Sequence, residues 1–356
     1  MKKPFAIALV SLLIVSLLAG CAGTTVVINE CTCPAGHVDQ TPAPQPVGEG
    51  AVKTGLYITA NAQDSKSAAG EENGEVKYDV TVVAVNVDED GVITDCIIDS
   101  LGASVKFDAA GCPVDFDPDA PVLTKNELGE NYGMVAWGGA VAEWDAQAAA
   151  LSSFAVGKTV EELKNGAIDE TGKAPAGSDL ASTATIYLGG YVSAIEEAVK
   201  NAKHMGANAG DELRLSAICS AASSVSATAD KAGTAQLDCD VTAVTVKDGV
   251  ITSCVIDSVQ AKVTFDTTGT ITSDIASPVQ TKTQLGDSYG MVAWGGAQHE
   301  WYEQAAAFAN YVVGKTPAQV ADIAVSEGKP ADADLSASVT IAIGGFQALI
   351  AKATAR

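Results

Sequence analysis

The chain has 356 residues, with 44 acidic against 21 basic and a formal net charge of −23. That balance argues against nucleic acid, whose phosphates need Lys and Arg, and against lying flat on anionic lipid. The length is enough for two domains of ordinary size, each with its own core.

Lys2 and Lys3 precede an apolar run over residues 5–17, closed by Leu18-Ala19-Gly20-Cys21, which is the layout of a secretory signal. Leu-Ala-Gly-Cys resembles a bacterial lipobox, which implies removal of a signal peptide (residues 1–20) and acylation of Cys21; the plainer alternative is an ordinary signal with an incidental cysteine. Two or more acyl chains on one residue anchor stably. No later stretch reaches the roughly 20 apolar residues of a spanning helix. Residues 21–50 carry Pro34, Pro42, Pro44 and Pro46 and read as a lipidated stalk, within which Cys31, Cys33 and His37 make a poor metal set.

A nonapeptide, YGMVAWGGA, occurs at residues 132–140 and again at 289–297, which makes the remainder a tandem of two homologous domains, 51–205 and 206–356. In each copy, alternating β-branched runs flank Asp-Gly, the signal of a hairpin: residues 80–87 and 92–98 around Asp90-Gly91, then 241–246 and 250–256 around Asp248-Gly249. A third strand is expected at 104–107 and 262–265. After the nonapeptide the period becomes helical, with Val141, Trp144, Ala148, Leu151 and Ala155 on one stripe, and Trp301, Ala305, Phe308 and Val312 on its counterpart.

Val-Gly-Lys-Thr follows in both copies but lacks the upstream glycine of a phosphate loop, where Ser152 and Ala309 stand. It reads as punctuation: Gly157 and Gly314 end one helix, while Thr159 with Glu162, and Thr316 with Pro317 and Gln319, cap the next. Strands are expected at 182–188 and 336–343, each followed by Gly-Gly and a helix (191–202 and 346–352). The expected class is α+β, an antiparallel β-meander packed with helices and one core per copy. Of the cysteines beyond Cys21, Cys96 and Cys254 occupy equivalent apolar runs and read as buried thiols. Cys219 and Cys239 occur only in the second copy and are the disulfide candidates.

Of three histidines, His37, His204 and His299, none recurs, which speaks against a repeated His-based triad or metal cluster. Glu143 and Glu300 recur beside a tryptophan at a helix start, where a carboxylate favours the helix N-terminus, and no second recurring carboxylate marks a glycosidase pair. The other recurring polar feature is a heptad, Asp179-Leu-Ala-Ser-Thr-Ala-Thr185 and Asp334-Leu-Ser-Ala-Ser-Val-Thr340, a hydroxyl displayed among small side chains. Read as local structure alone, it is a solvated β-edge with the aspartate capping a turn.

These heptads resemble the flavinylation motif of FMN-binding domains, Asp-x-x-(Ser/Thr)-Gly-Ala-(Thr/Ser), with Thr183 and Ser338 in place of the glycine, Val339 in place of the alanine, and Ala337 in place of the Ser/Thr. Together with the lipobox, the stalk and the repeated nonapeptide, the mature chain resembles the two-domain flavinylated lipoproteins of Gram-positive extracellular electron transfer, of the peptide-pheromone-encoding type. The resemblance implies FMN joined by its phosphate to Thr185 and Thr340, with Asp179 and Asp334 as recognition carboxylates and Ser182 at the small position. It also implies a flavin transferase, a membrane NADH or quinone-linked reductase and external electron acceptors as partners, on the outer face of the cell membrane. Tyr132, Met134 and Trp137, with Tyr289, Met291 and Trp294, are flat or polarisable groups suited to packing a flavin ring. Two other readings stay open: a non-redox envelope lipoprotein that binds wall glycan or peptide through the aromatic nonapeptide, and a structural envelope protein with no ligand.

Overall fold

A computed structural model describes residues 50–355. The expected signal peptide (residues 1–20), the expected lipidation at Cys21 and most of the expected stalk lie outside the described residues.

The first copy opens with β1 (Lys53–Asn61), β2 (Gly74–Val87) and β3 (Ile93–Phe107), and a short β4 (Pro113–Val114) completes an antiparallel sheet in the order β1-β2-β3-β4. The second copy forms a sheet of β5 (Glu212–Ser220), β6 (Gly233–Lys247) and β7 (Val250–Phe265) in the order β5-β6-β7. The Asp-Gly hairpins are present. Asp248 and Gly249 both take positive φ (50° and 80°) and close a two-residue turn, the geometry that matches strand twist. In the first copy the turn is longer, and the Asp88 carboxylate accepts the amides of Asp90 and Val92.

Two expectations are corrected here. The third strands are the far ends of β3 and β7, which run unbroken past Gly102 and Gln260, and the opening strands β1 and β5 escaped the sequence reading. β1 carries Gly55, whose place against the Ala198 carbonyl admits no side chain, so the period-2 signal is diluted by a packing requirement.

Helices α1 (Lys125–Leu128), α2 (Trp144–Ala155), α3 (Val160–Ala167), α4 (Asp179–Thr183) and α5 (Gly189–Asn201) follow in the first copy. Their counterparts are α6 (Lys282–Leu285), α7 (Trp301–Val312), α8 (Pro317–Ala321), α9 (Ala333–Ser336) and α10 (Gly344–Thr354), with a two-residue hairpin, β8 (Val325–Ser326) and β9 (Lys329–Pro330), before α9. The chain is thus α+β. Thr159 with Glu162 and Thr316 with Gln319 form capping boxes at the starts of α3 and α8, and Gly157 and Gly314 take positive φ before them. The apolar stripes of α2 and α7 are buried as spaced, except that Val141 lies before the helix and is exposed.

The strand run Val82-Val83-Ala84-Val85 is buried on both faces, because its alternate residues enter different cores. Val83 and Val85 face α2 and α5, whereas Val82 and Ala84 face the other sheet. The two sheets therefore lie face to face with helices outside. Phe107 and Phe265 stack between them, 4.1 Å apart and 2° from parallel. Tyr78 of β2 donates to the Ala235 carbonyl of β6 at 2.8 Å. The expectation of one core per copy gives way to two outer cores and one shared between the copies. Chain pairing crosses over as well, Val279 bridging Ala60 and Val122 bridging Cys219, and the described residues, 50–355, fall in one compact unit. Cys219 and Cys239, opposite one another on β5 and β6, form a disulfide at this shared core. Cys96 and Cys254 are free, and burial pushes both thiols up to about 12.

Candidate functional site

The nonapeptide is a closed loop built by glycines and one carboxylate. A 3₁₀ turn, Gly129–Tyr132 or Gly286–Tyr289, ends at Gly133 or Gly290, both left-handed (φ 80° and 83°). Next comes a single helical turn, in which Trp137 N–H donates to the Gly133 carbonyl and Gly138 N–H to that of Met134, each at 3.0 Å. A side chain at Gly138 or Gly295 would collide with the carbonyl of Met134 or Met291. The open amides of this turn go to the recurring glutamates. Glu143 accepts from Met134 N–H at 2.8 Å and Val135 N–H at 3.0 Å, and Glu300 from Met291 and Val292 at 2.8 and 2.9 Å. These carboxylates therefore cap the loop's turn, besides standing at the N-termini of α2 and α7.

The sheets contribute a further recurring carboxylate. Asp99 and Asp257, in the repeated Ile-Asp-Ser of β3 and β7, accept from Asn126 N–H and Thr283 N–H at the starts of α1 and α6. Burial raises both above the ordinary aspartate value. They tie the helix before the nonapeptide to the sheet and do not form a glycosidase pair with the glutamates, which are engaged by loop amides.

The heptads are not strands. Ser178 Oγ caps α4 through Ala181 N–H, and Asp332 caps α9 through the amides of Asp334 and Leu335. Leu180 and Leu335 anchor the turns in the outer cores. Ser182 Oγ folds back to the Asp179 carbonyl at 2.6 Å, so the hydroxyls serve helical backbone and not a ladder. Asp179 and Asp334 are exposed in the first turns of α4 and α9, and the capping role expected of them falls to Ser178 and Asp332.

Beyond each short helix the chain is extended but unpaired, and the amides that would seek a neighbouring strand are taken by a buried glutamine. Gln147 Oε1 accepts from Thr185 N–H (2.7 Å), Ile186 N–H (3.1 Å) and Thr185 Oγ1 (3.3 Å). Gln304 does the same for Thr340 N–H (2.8 Å), Ile341 N–H (3.2 Å) and Thr340 Oγ1 (3.2 Å). Both glutamines are fully buried. The sequence gives them away only as a glutamine recurring on each apolar stripe.

In the second copy the nonapeptide and the two residues that follow the heptad line one cleft of about 370 Å³. Tyr289 and Met291 contribute from one side, Ile341 and Ala342, next to Thr340, from another, and Gly345 opens the first turn of α10 onto it. Lys282 lies over the Tyr289 and Trp301 rings, its pKa lowered by burial against the opposing pull of Asp240, Asp238 and Asp257. In the first copy Lys125 lies 5.0 Å from both the Tyr132 and Trp144 ring centroids, and Met134, Ile186 and Tyr191 pack on one core. Thr185 is exposed and Thr340 half-buried.

Trp137 and Trp294 do not join this lining. Each is 88 % exposed and folds over its own loop glycine, Gly133 or Gly290. The copies also differ. Asp240 lines the second cleft where the first copy has Thr81, and Ala342 corresponds to Tyr187, whose ring lies across Gly172 and Gly189. Another cavity of about 330 Å³, beside Cys96, Asn126 and Ser152, contains no residue of the nonapeptide or the heptad. The chain matches no family model, no curated protein and no solved structure.

Proposed function

We propose that this protein is a lipid-anchored extracellular electron carrier bearing FMN as a phosphoester on Thr185 and Thr340. The observation that carries the reading is the convergence of Tyr289 and Met291 with the residues following Thr340 on one cleft. Its volume lies within the range of small-molecule sites. The lining offers an aromatic ring and a thioether for a flat ring system, the Asp240 carboxylate stands beside Gly345 at the start of α10, and Thr340 adjoins the cleft through Ile341. When bound, the flavin supplies reversible electron transfer, and the protein supplies position and electrostatics.

In this reading Glu143 and Glu300 hold the nonapeptide loops, Gln147 and Gln304 hold the attachment segments, and the lysines set local charge. Covalent attachment suits an exposed carrier, from which a freely dissociating cofactor would be lost by dilution. Cys21 carries the lipid, residues 21–50 hold the carrier off the membrane, a flavin transferase loads it, a membrane NADH or quinone-linked reductase supplies electrons, and external acceptors take them.

Intact-mass measurement on protein from the native host tests the reading. Two adducts of one FMN less one water are expected, Thr185→Ala and Thr340→Ala each removing one. Unmodified protein under conditions of electron-transfer growth refutes it. A second reading, recognition of wall glycan or peptide, is favoured by the exposure of Trp137 and Trp294. It requires a colourless protein whose affinity for purified wall fragments falls on Trp137→Ala and Trp294→Ala.

A further inference from the structure

Building on the flavin-carrier reading, we infer that Gln147 and Gln304 are positioning residues that orient the hydroxyls of Thr185 and Thr340 for modification. Each side chain is locked at both ends. Gln147 Nε2 donates to the Ala142 carbonyl at 2.8 Å and Gln304 Nε2 to that of His299 at 2.9 Å, which turns Oε1 toward the attachment segment. Oε1 then accepts two backbone amides and the threonine hydroxyl. A carbonyl oxygen has two lone pairs for three donors, so the hydroxyl contact is long in both copies, at 3.3 and 3.2 Å, equalled in the second by the Ile341 amide at 3.2 Å.

This geometry has a chemical consequence. With its proton directed at the glutamine, the threonine Oγ1 keeps its lone pairs free for attack, and the long inward bond is readily given up. The heptads differ at every position between the leucine and the final threonine, yet both threonines make this contact. A staple for the loop alone would need only the two amides.

In the transfer, Oγ1 attacks the flavin-side phosphorus of a flavin nucleotide phosphoanhydride such as flavin adenine dinucleotide. The Oγ1–P bond forms, the phosphoanhydride P–O bond breaks, the adenosine monophosphate leaves with the electron pair, and the hydroxyl proton passes to solvent or to the transferase. No oxidation state changes.

The test uses the full mature chain with purified flavin transferase, flavin adenine dinucleotide and Mg²⁺, counting adducts at each threonine by peptide mass against time. Gln147→Met keeps the volume and removes the hydrogen bonds. It should slow loading of Thr185 by roughly tenfold or more, the scale of lost orientation, while Thr340 on the same molecule loads at the wild-type rate. Gln147→Glu should restore loading to within about threefold, because burial holds the carboxyl protonated with the same donor and acceptor pattern. The same pair at Gln304 should reverse the pattern.

Wild-type loading of Thr185 in Gln147→Met overturns the inference and leaves the flavin reading standing. Equal impairment of the Met and Glu variants with Thr340 intact also overturns it, since that marks a packing role. Should Gln147→Met fail to fold, Gln147→Glu decides: loading at Thr185 supports the assignment, and a folded chain that loads only Thr340 sinks it. A wild-type chain that takes flavin at neither threonine removes the functional reading and this assignment together.

Discussion

Replacing Phe107 with Ala strikes a side chain on which both copies depend. Phe107 is fully buried at the end of β3, covers Gly74 on the neighbouring strand and stacks on Phe265, whose own ring covers Gly233. Truncating a fully buried Phe costs about 3–5 kcal/mol once the cavity is included. Of that, about 0.5–1.5 kcal/mol belongs to the aromatic pair and should appear as coupling with Phe265→Ala. For a unit of this size the loss corresponds to a drop in Tm on the order of 10 °C. Differential scanning calorimetry of the mature chain should show one transition, moved as a whole by either substitution. The double variant should cost less than the sum of the two. Two transitions, with Phe107→Ala moving only one, would mean that each copy folds on its own core, and the shared-core account would be wrong.

Three further outcomes follow from the site. Glu300→Ala should speed hydrogen exchange at the Met291 and Val292 amides by at least about tenfold, each charge-assisted bond being worth about 1.5–3 kcal/mol, and unchanged protection would remove its role as loop cap. Burial raises the Asp257 carboxyl in the folded protein above its ordinary 3.8, so its favourable contribution is complete below 3.8 and lost as pH rises through the folded value. Urea titrations should therefore show Asp257→Asn gaining on wild type as pH rises from below 3.8 toward neutrality; a pH-independent difference contradicts the assignment. In the flavin-loaded chain, Asp240→Asn should raise the midpoint potential of the group on Thr340, because a carboxylate at the cleft opposes added negative charge, while the group on Thr185 stays unchanged. Spectroelectrochemical titration of the Thr185→Ala and Thr340→Ala backgrounds separates the two, and equal shifts at both sites would refute a local effect.

How much was legible depended on where the hydrogen-bond partner of each segment lies. The hairpin at Asp248-Gly249, the capping boxes at Thr159 and Thr316 and the buried stripe of α7 were readable because donor, acceptor and periodicity sit within a few residues. The heptads misled. Their small and β-branched residues suit an extended ladder, yet Ser178 and Asp332 start a helical turn first, and the amides of Thr185 and Thr340 bond to glutamines 38 and 36 residues away. Gln147 and Gln304 looked like polar interruptions of an apolar stripe, and nothing local indicates that a distant loop fills their bonding capacity. The candidate cleft was half-legible: Tyr289 and Met291 line it, while Trp294, chosen for the same aromatic character, faces solvent.

The sequence by itself determined the doubling of the nonapeptide, the hairpin and capping chemistry and the buried faces of α2 and α7, since these rest on backbone preference and spacing. Only the tertiary structure decided that the inner faces bury against each other rather than separately, that Asp99 and Asp257 tie α1 and α6 to the sheets, and that each threonine hydroxyl points at a buried amide. The physical reason is common to all three. An apolar face or an open donor states a need, and any complementary group can meet it; which one does is settled by packing between residues far apart in the chain.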